Sequence, residues 1–413
     1  MSAPVDRAVA AAGPGDLEPA TEPRSALDTA AFAAFLLLVA ALPWSIAAMS
    51  IGLALAAVAT VVVWVVRRPA WRWPRPLLLP AIAWIAALVI AALCAVDRGA
   101  SLPRITKGAL PAIAWITSYH ARRRRDGERA LAVLLISAGV VALLGIGVWV
   151  AKGAAFPARA RGAAGHYMTF AGQLLLWMSV ASGIFLRAAR RWRIGAALAL
   201  AVGAVALAAT FTRSAWIGMF VSWSTMLALT RPRALVGLVL AAALLVAIAP
   251  RAYRDRLLSS FDPGHATNVE RTHMWQAGLE MFRDHPLTGV GLEDLHPIYE
   301  RYKPPTAHEP AGHLHSVFIQ IAATMGVIGL VAFAWLYLSL FRTATGGAPL
   351  RATGPGPGAR LGMVGALVGF LAAGLFEWNF GDEELLDLLY ALVGIAWAAG
   401  AWSSRDGEPA SRP

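Results

Sequence analysis

A chain of 413 residues that is 58% hydrophobic and only 15% charged lacks the polar material to cover a water-soluble globule of its size, which excludes an ordinary soluble domain. Net charge is +12, nearly all from arginine, with lysine only at Lys107, Lys152 and Lys303. In a soluble protein a pI near 10.7 would point to nucleic acid, but here the basic residues lie in short connections between apolar runs, where they set membrane topology. No nucleic-acid partner is expected. Cys94 is the only cysteine, so no disulfide forms within the chain.

In chain order, residues 1–29 are rich in Ala, Pro, Asp and Glu and read as a disordered cytoplasmic tail with no cleavable signal peptide visible. Twelve apolar runs follow, at 30–48, 51–66, 77–95, 103–119, 130–151, 168–186, 194–210, 214–229, 234–250, 315–341, 361–378 and 386–402. A helix crossing a ~30 Å hydrocarbon core needs about 20 apolar residues, and the pattern predicts an all-α integral membrane protein with about 12 spans. Only Met49 and Ser50 separate the first two runs, which predicts a tight hairpin or one broken helix. Every even-numbered connection is basic, with 18 arginines among them, including Arg342, Arg351 and Arg360. This arrangement places those connections and both termini in the cytoplasm. The division is a tail at 1–29, spans one to nine at 30–250, an outer loop at 251–314, spans ten to twelve at 315–402, and a cytoplasmic tail at 403–413. A hydrophilic loop of 64 residues in a membrane protein suggests function, and its residues 268–283 read as a helix that a Thr267–Glu270 capping box would start.

The runs hold almost no ionisable groups, unlike the spans of proton-coupled transporters, so chemistry is expected at the outer membrane face. The outward arginines Arg159, Arg161, Arg213 and Arg271 run against the topological rule. Arg213 sits in a short turn among Thr210, Thr212 and Ser214, and guanidinium with hydroxyls can cradle phosphate. In the long loop, Arg271, Trp275, Gly278 and Phe282 share one helical face. The loop ends with His308, Glu309, His313 and His315. Two of these histidines could supply metal ligands, but no cysteine or well-placed Asp cluster completes a set, so no metal is expected.

His315-Ser316, nine residues, then Gly326-Val-Ile-Gly329, resembles the H-[N/S/Q]-x9-G-x-x-G pattern of the bacterial O-antigen ligase and polymerase family. Arg271 and Trp275, followed by Pro286, Gly289 and Gly291, are similar to that family's R-x3-W…P-x2-G-x-G. The turn TFTRSAW resembles its T-x-S-R-x-A-W turn, with Thr212 where Ser is usual, and the loop around His166 is a looser match. The resemblance covers about 200–341 and is weak elsewhere.

It implies a fold related to the membrane lipid-linked sugar transferases. It also implies a cofactor-free, metal-independent, inverting glycosyltransferase of the bacterial inner membrane, with a periplasmic site. The donor would be an undecaprenyl pyrophosphate-linked glycan, and the acceptor lipid A core for a ligase. For the related polymerase or protein O-oligosaccharyltransferase it would be another glycan or a protein. A non-catalytic transporter of lipid-linked sugar is the reading from a different class. Arg213 and Arg271, with Arg161, are assigned to the donor pyrophosphate. His315 is the general base, with His313 the alternative. Ser316, Trp275, Gly326, Gly329 and His166 support the site. An imidazole of ordinary pKa, about 6.5, is largely neutral near pH 7 and can accept a proton.

Overall fold

The computed structural model describes residues 24–69, 74–346 and 350–405, and most of the two tails expected from the sequence lies outside them. The described chain is helical, with no strand, and each of the twelve apolar runs carries helix. Runs one to four hold α1 (Ala26–Ala41), α2 (Ile46–Arg67) and α3 (Arg75–Leu93), then, after the one-turn α4 (Arg98–Ser101), a 3₁₀ helix at Leu102–Ala112 continuing into α5 (Ile113–His120). Runs five to nine hold α6 (Arg124–Ala151), α7 (Tyr167–Arg187), α8 (Arg190–Ala209), α9 (Arg213–Thr230) and α10 (Ala234–Ile248). The long loop contains α11 (Arg251–Leu258), α12 (Ala266–Asp284) and α13 (His296–Tyr302); α14 (Val317–Thr345), α15 (Pro355–Ala373) and α16 (Glu383–Arg405) finish the bundle. Among the described residues eight helices are long and apolar enough to cross a membrane, or nine if α10 and α11, bent by 119° at Pro250, make one span.

Three boundaries differ from the sequence reading. Helix α1 begins at Ala26, inside the expected tail, because Ser25 and Asp28 form a reciprocal capping box. The first two runs part at Pro43 rather than at Met49: α2 starts after Ser45, whose hydroxyl accepts from the Ala48 N–H. Helix α12 starts after His265 without a side-chain cap. The Thr267 hydroxyl expected to cap it lies instead 2.7 Å from His265 Nδ1 and accepts from Arg213 at 3.3 Å.

Helices α7, α15 and α16 form the buried centre, with 78%, 83% and 94% of their apolar windows enclosed, whereas α2 has 22%. Lipid gives helices no hydrophobic reason to associate, so close approach through small residues does that work. A Cβ on Gly183 of α7 would lie 2.1 Å from the Gly358 carbonyl of α15. Ser179 and Ser222 add a hydrogen bond of 2.7 Å between α7 and α9. Arg360, counted above among topological arginines, is fully buried. Its guanidinium donates to the carbonyls of Ala344, Thr345 and Gly346 and closes the C-terminus of α14, where the helix dipole favours a cation.

The two glycine motifs explain each other. Gly326 interrupts α14 with φ 62° and ψ −157°. The carbonyls exposed there accept from Val290 at 2.8 Å and Gly291 at 3.2 Å, while Val327 N–H donates to Pro286 at 2.9 Å. A Cβ on Gly326 would sit 2.3 Å from the Leu287 backbone, and one on Gly289 2.2 Å from that of Thr324. The segment 286–291 is thus locked into the break of α14.

Gly326→Ala should therefore destabilise the protein by at least the ~1–3 kcal/mol of a strained backbone residue. Gly139→Ala, with nothing within 4 Å of the new Cβ, should not. Thermal unfolding in detergent reads the difference; equal melting temperatures for the two variants would contradict the interlock.

Candidate functional site

The polar groups singled out in the sequence meet at one end of the bundle. Ser316 is buried and forms the N-cap of α14. The start of that helix is tied to α15 by the Val317 N–H donating to the Gly374 carbonyl at 2.7 Å. Before it, His315 holds a left-handed backbone, φ 47°, costly for a residue with a Cβ unless its surroundings fix it. They do: the His315 ring places Nδ1 at 3.0 and 3.2 Å from the two carboxylate oxygens of Glu377. The His313 ring lies against it, centroids 4.2 Å apart.

Glu377 stands in the turn between α15 and α16. Arg271 of α12 approaches it at 3.6 Å. Helix α12 is held at this distance by Gly278, where a Cβ would meet Leu314 and Ile319 at 2.7 and 2.5 Å, and by Trp275, whose ring lies 6.4 Å from that of Phe376. Burial pushes the Glu377 pKa up, but the His315 hydrogen bond and the charges of His315, His313 and Arg271 outweigh it, and the net shift is downward. His313 is pushed down to about 4, first by burial and then by His315. Its Nδ1 is buried without a hydrogen-bond partner.

Arg213 is buried at the start of α9 and donates to the Ser259 hydroxyl at 2.9 Å and the Asn268 carbonyl oxygen at 3.1 Å. These partners are neutral, so its charge is left unbalanced beside Arg256, Arg271 and Arg159. Burial and then the charges of Arg159 and Arg271 lower the Arg256 pKa. Arg159 stacks over Tyr167 at 4.1 Å. Arg161 is exposed and lies near His166, whose pKa is lowered by burial and by these arginines despite the opposing pull of Glu377. The loop's contribution to the surroundings of Arg213 is thus Arg159. Gly326 and Gly329 act at a distance, through the break and packing of α14.

A cavity of about 400 Å³ opens here, walled by His166, Thr169, Ser214, His313, Glu377 and Asp382. Asp382 accepts from Thr169 at 2.6 Å, and burial raises its pKa. Glu377 and Asp382 were not singled out in the sequence. The signal for Glu377 was faint, a carboxylate ending an apolar run. Arg256 was lost among the charges of the long loop.

His313, His315 and Glu377 offer ligand atoms within 4.8 Å of one another, so the third ligand missing from the sequence comes from residue 377. Three such groups can hold a zinc-like ion. Against that, Glu377 is already engaged by His315 and faces Arg271, and the arginines around it disfavour a dication.

The fold and site define a polytopic membrane protein with an arginine-rich polar cluster at one end of its helical bundle. Residues 196–334 match the family model described as O-Antigen ligase, in keeping with the resemblance to the O-antigen ligase and polymerase family read from the sequence. No curated protein matches the chain. The matched segment contains Arg213, Arg271, Trp275, His313, His315 and Gly326, whereas Glu377 lies beyond it. The match supports a role in membrane glycan transfer.

A histidine held neutral in the fold binds fewer protons than in the unfolded chain between its folded pKa, about 4, and its ordinary value, so stability rises with pH across that window. Glu377, with its folded pKa lowered, also loses stability on acidification, through its own folded pKa. The melting temperature should fall as pH drops from about 6.5 toward 4, and His313→Gln should flatten the slope. A slope unchanged in that variant would mean that His313 titrates normally.

Proposed function

We propose that the protein is an inner-membrane glycosyltransferase that moves a glycan from undecaprenyl pyrophosphate to an acceptor hydroxyl at the periplasmic face, as an O-antigen ligase acting on lipid A core. The observation that carries this reading is the pairing of a histidine–carboxylate dyad, His315 and Glu377, with Arg271 facing the carboxylate and Arg213, Arg256 and Arg159 clustered beside it.

With His315 Nδ1–H donating to Glu377, Nε2 is left as a proton acceptor. It takes the acceptor hydroxyl's proton as that oxygen attacks the anomeric carbon. The bond from the anomeric carbon to the pyrophosphate oxygen breaks, and the electron pair leaves with undecaprenyl pyrophosphate. Direct displacement inverts the anomeric centre. Arg271 and Arg213, with Arg159, Arg256 and Arg161 around them, stabilise the departing charge, a task that guanidinium performs with bidentate donors and permanent charge. This reading needs no metal.

Transfer by purified protein from a lipid pyrophosphate-linked glycan tests the roles. His315→Ala should lose about 10²–10⁴-fold, the usual contribution of a placed general base. Glu377→Gln keeps the shape and loses about 1.5–3 kcal/mol of charged hydrogen bond, roughly ten- to a hundredfold. Arg271→Lys should fall in that range too, and a chelator should change nothing. If His315→Ala folds normally and transfers at the wild-type rate while His313→Ala is inactive, the base is His313.

Orientation has its own test. In a Cys94→Ala background, Ala266→Cys should react with an impermeant maleimide on intact cells and Arg233→Cys should not; both positions are exposed. The reverse pattern would move the site to the cytoplasm and end the periplasmic reading.

A further inference from the structure

Helices α6 and α8 start together at the end of the bundle remote from the site, and between them opens a groove of about 790 Å³. Ile136, Leu143 and Leu198 stand exposed on its walls. Glycines deepen it: a Cβ on Gly139 or Gly195 would meet nothing within 4 Å.

The groove has one polar end. Arg125 and Arg129 of α6 and Arg191 of α8 line it there, with Trp192 beside them. Among the described residues Arg125 and Arg191 make no ion pair or side-chain hydrogen bond, and Arg129 reaches Asp126 only at 3.9 Å. Glu128, the carboxylate of the wall, is already held by Arg124 at 2.8 Å. No side chain caps the start of either helix, so unpaired N–H groups add to the positive charge.

We infer that this groove is a binding site for one anionic phospholipid, with its phosphate among Arg125, Arg129 and Arg191 and its acyl chains laid along Gly139 and Gly195. Depth and charge choose this occupant. From Arg191 to Val202 α8 rises about 16 Å, and from Arg129 to Leu143 α6 rises about 21 Å. One leaflet measures about 15 Å of hydrocarbon, or about 22 Å with its headgroups. The groove therefore has the depth of a single leaflet, with cations at headgroup level and apolar walls below. A helix of a second copy would need a face running through both leaflets. Bilayer and groove are equally apolar, so any lipid can lie against these walls and selection falls to the head. An anionic head neutralises arginines that otherwise face the lipid unpaired, and Trp192 sits at the level where indole rings favour the interface. On the orientation proposed above this is the cytoplasmic leaflet.

Native mass spectrometry of the purified protein, titrated with phosphatidylglycerol and with phosphatidylcholine, tests the site. One equivalent of phosphatidylglycerol should bind about tenfold or more tightly than phosphatidylcholine. Arg125→Gln and Arg191→Gln should each weaken it about fivefold. Arg190→Gln removes the neighbouring exposed charge outside the groove and should stay within about twofold of wild type. Gly195→Phe, which projects a ring into the groove, should weaken phosphatidylglycerol with every arginine kept. Melting temperatures without lipid check that the arginine variants are folded. If the two lipids bind alike, or if Arg190→Gln weakens binding as much as Arg191→Gln, the arginines are a diffuse topological charge and the inference is overturned. It is overturned too if Gly195→Phe leaves the affinity unchanged, or if wild type is a dimer in detergent that Gly195→Phe converts to monomer, since the groove is then an interface between copies.

Discussion

A carboxylate in apolar surroundings must be paired, and in this protein the pairing of Glu377 assembles the site. Its two oxygens reach His315 at 3.0 and 3.2 Å, and Arg271 stands 3.6 Å away. Three segments far apart in sequence are thereby joined: the turn after α15, the residues before α14, and α12 in the long loop. The left-handed backbone of His315 fits this picture, since a strained residue persists where several contacts fix it together. A histidine held by Nδ1 has a defined orientation and a defined nitrogen left over.

That geometry depends on a second constraint, one of backbone rather than charge. Breaking α14 at Gly326 exposes carbonyls that would be costly to leave unpaired in a bilayer, and the segment 286–291 satisfies them. The repair anchors the long loop directly after α12. Arg271 and Trp275 stand one to two turns from the Gly278 contact with Leu314 and Ile319, so the position of α12 is set from both its middle and its end. The long loop is thereby bolted to a span at its break.

Much of this was legible in the sequence because membrane helices announce themselves locally. Each apolar run proved helical, and the arginines at 213 and 271 were conspicuous where topology disfavours them. The breaks after Ser25 and at Pro43 were also written there, but run-counting weighed apolarity above caps. Glu377 escaped because its significance is tertiary: its partner His315 lies 62 residues away, and the local sequence shows only one carboxylate before the acidic cluster Asp382–Glu384. The metal question turned on the same residue, since a two-histidine motif looks incomplete until the fold supplies a third group. Thr267 was read as a helix cap, a local role, but Arg213 competes for its hydroxyl. Arg360 looked like one more topological charge and is a buried cap of α14.

The placement of polar groups also bears on transfer versus transport. A path for a charged sugar lipid through the bundle would need polar residues along its length. Among the described residues the buried acidic, basic and imidazole side chains gather at the two ends: Arg213, Glu293, Glu384 and Asp387 on the side of the site, and His120, Asp126 and Arg360 on the other. Between them the centre is sealed by small residues at backbone contact, as at Gly183 and Gly358. Such a core is costly to open, because each glycine pair would trade close packing for a void with nothing to fill it. The bundle is therefore built as a rigid floor. What sits on it is a concentration of positive charge beside the His315–Glu377 pair, an arrangement that gains by receiving an anion. On the transfer reading proposed above, that is the electrostatic requirement of a pyrophosphate departure.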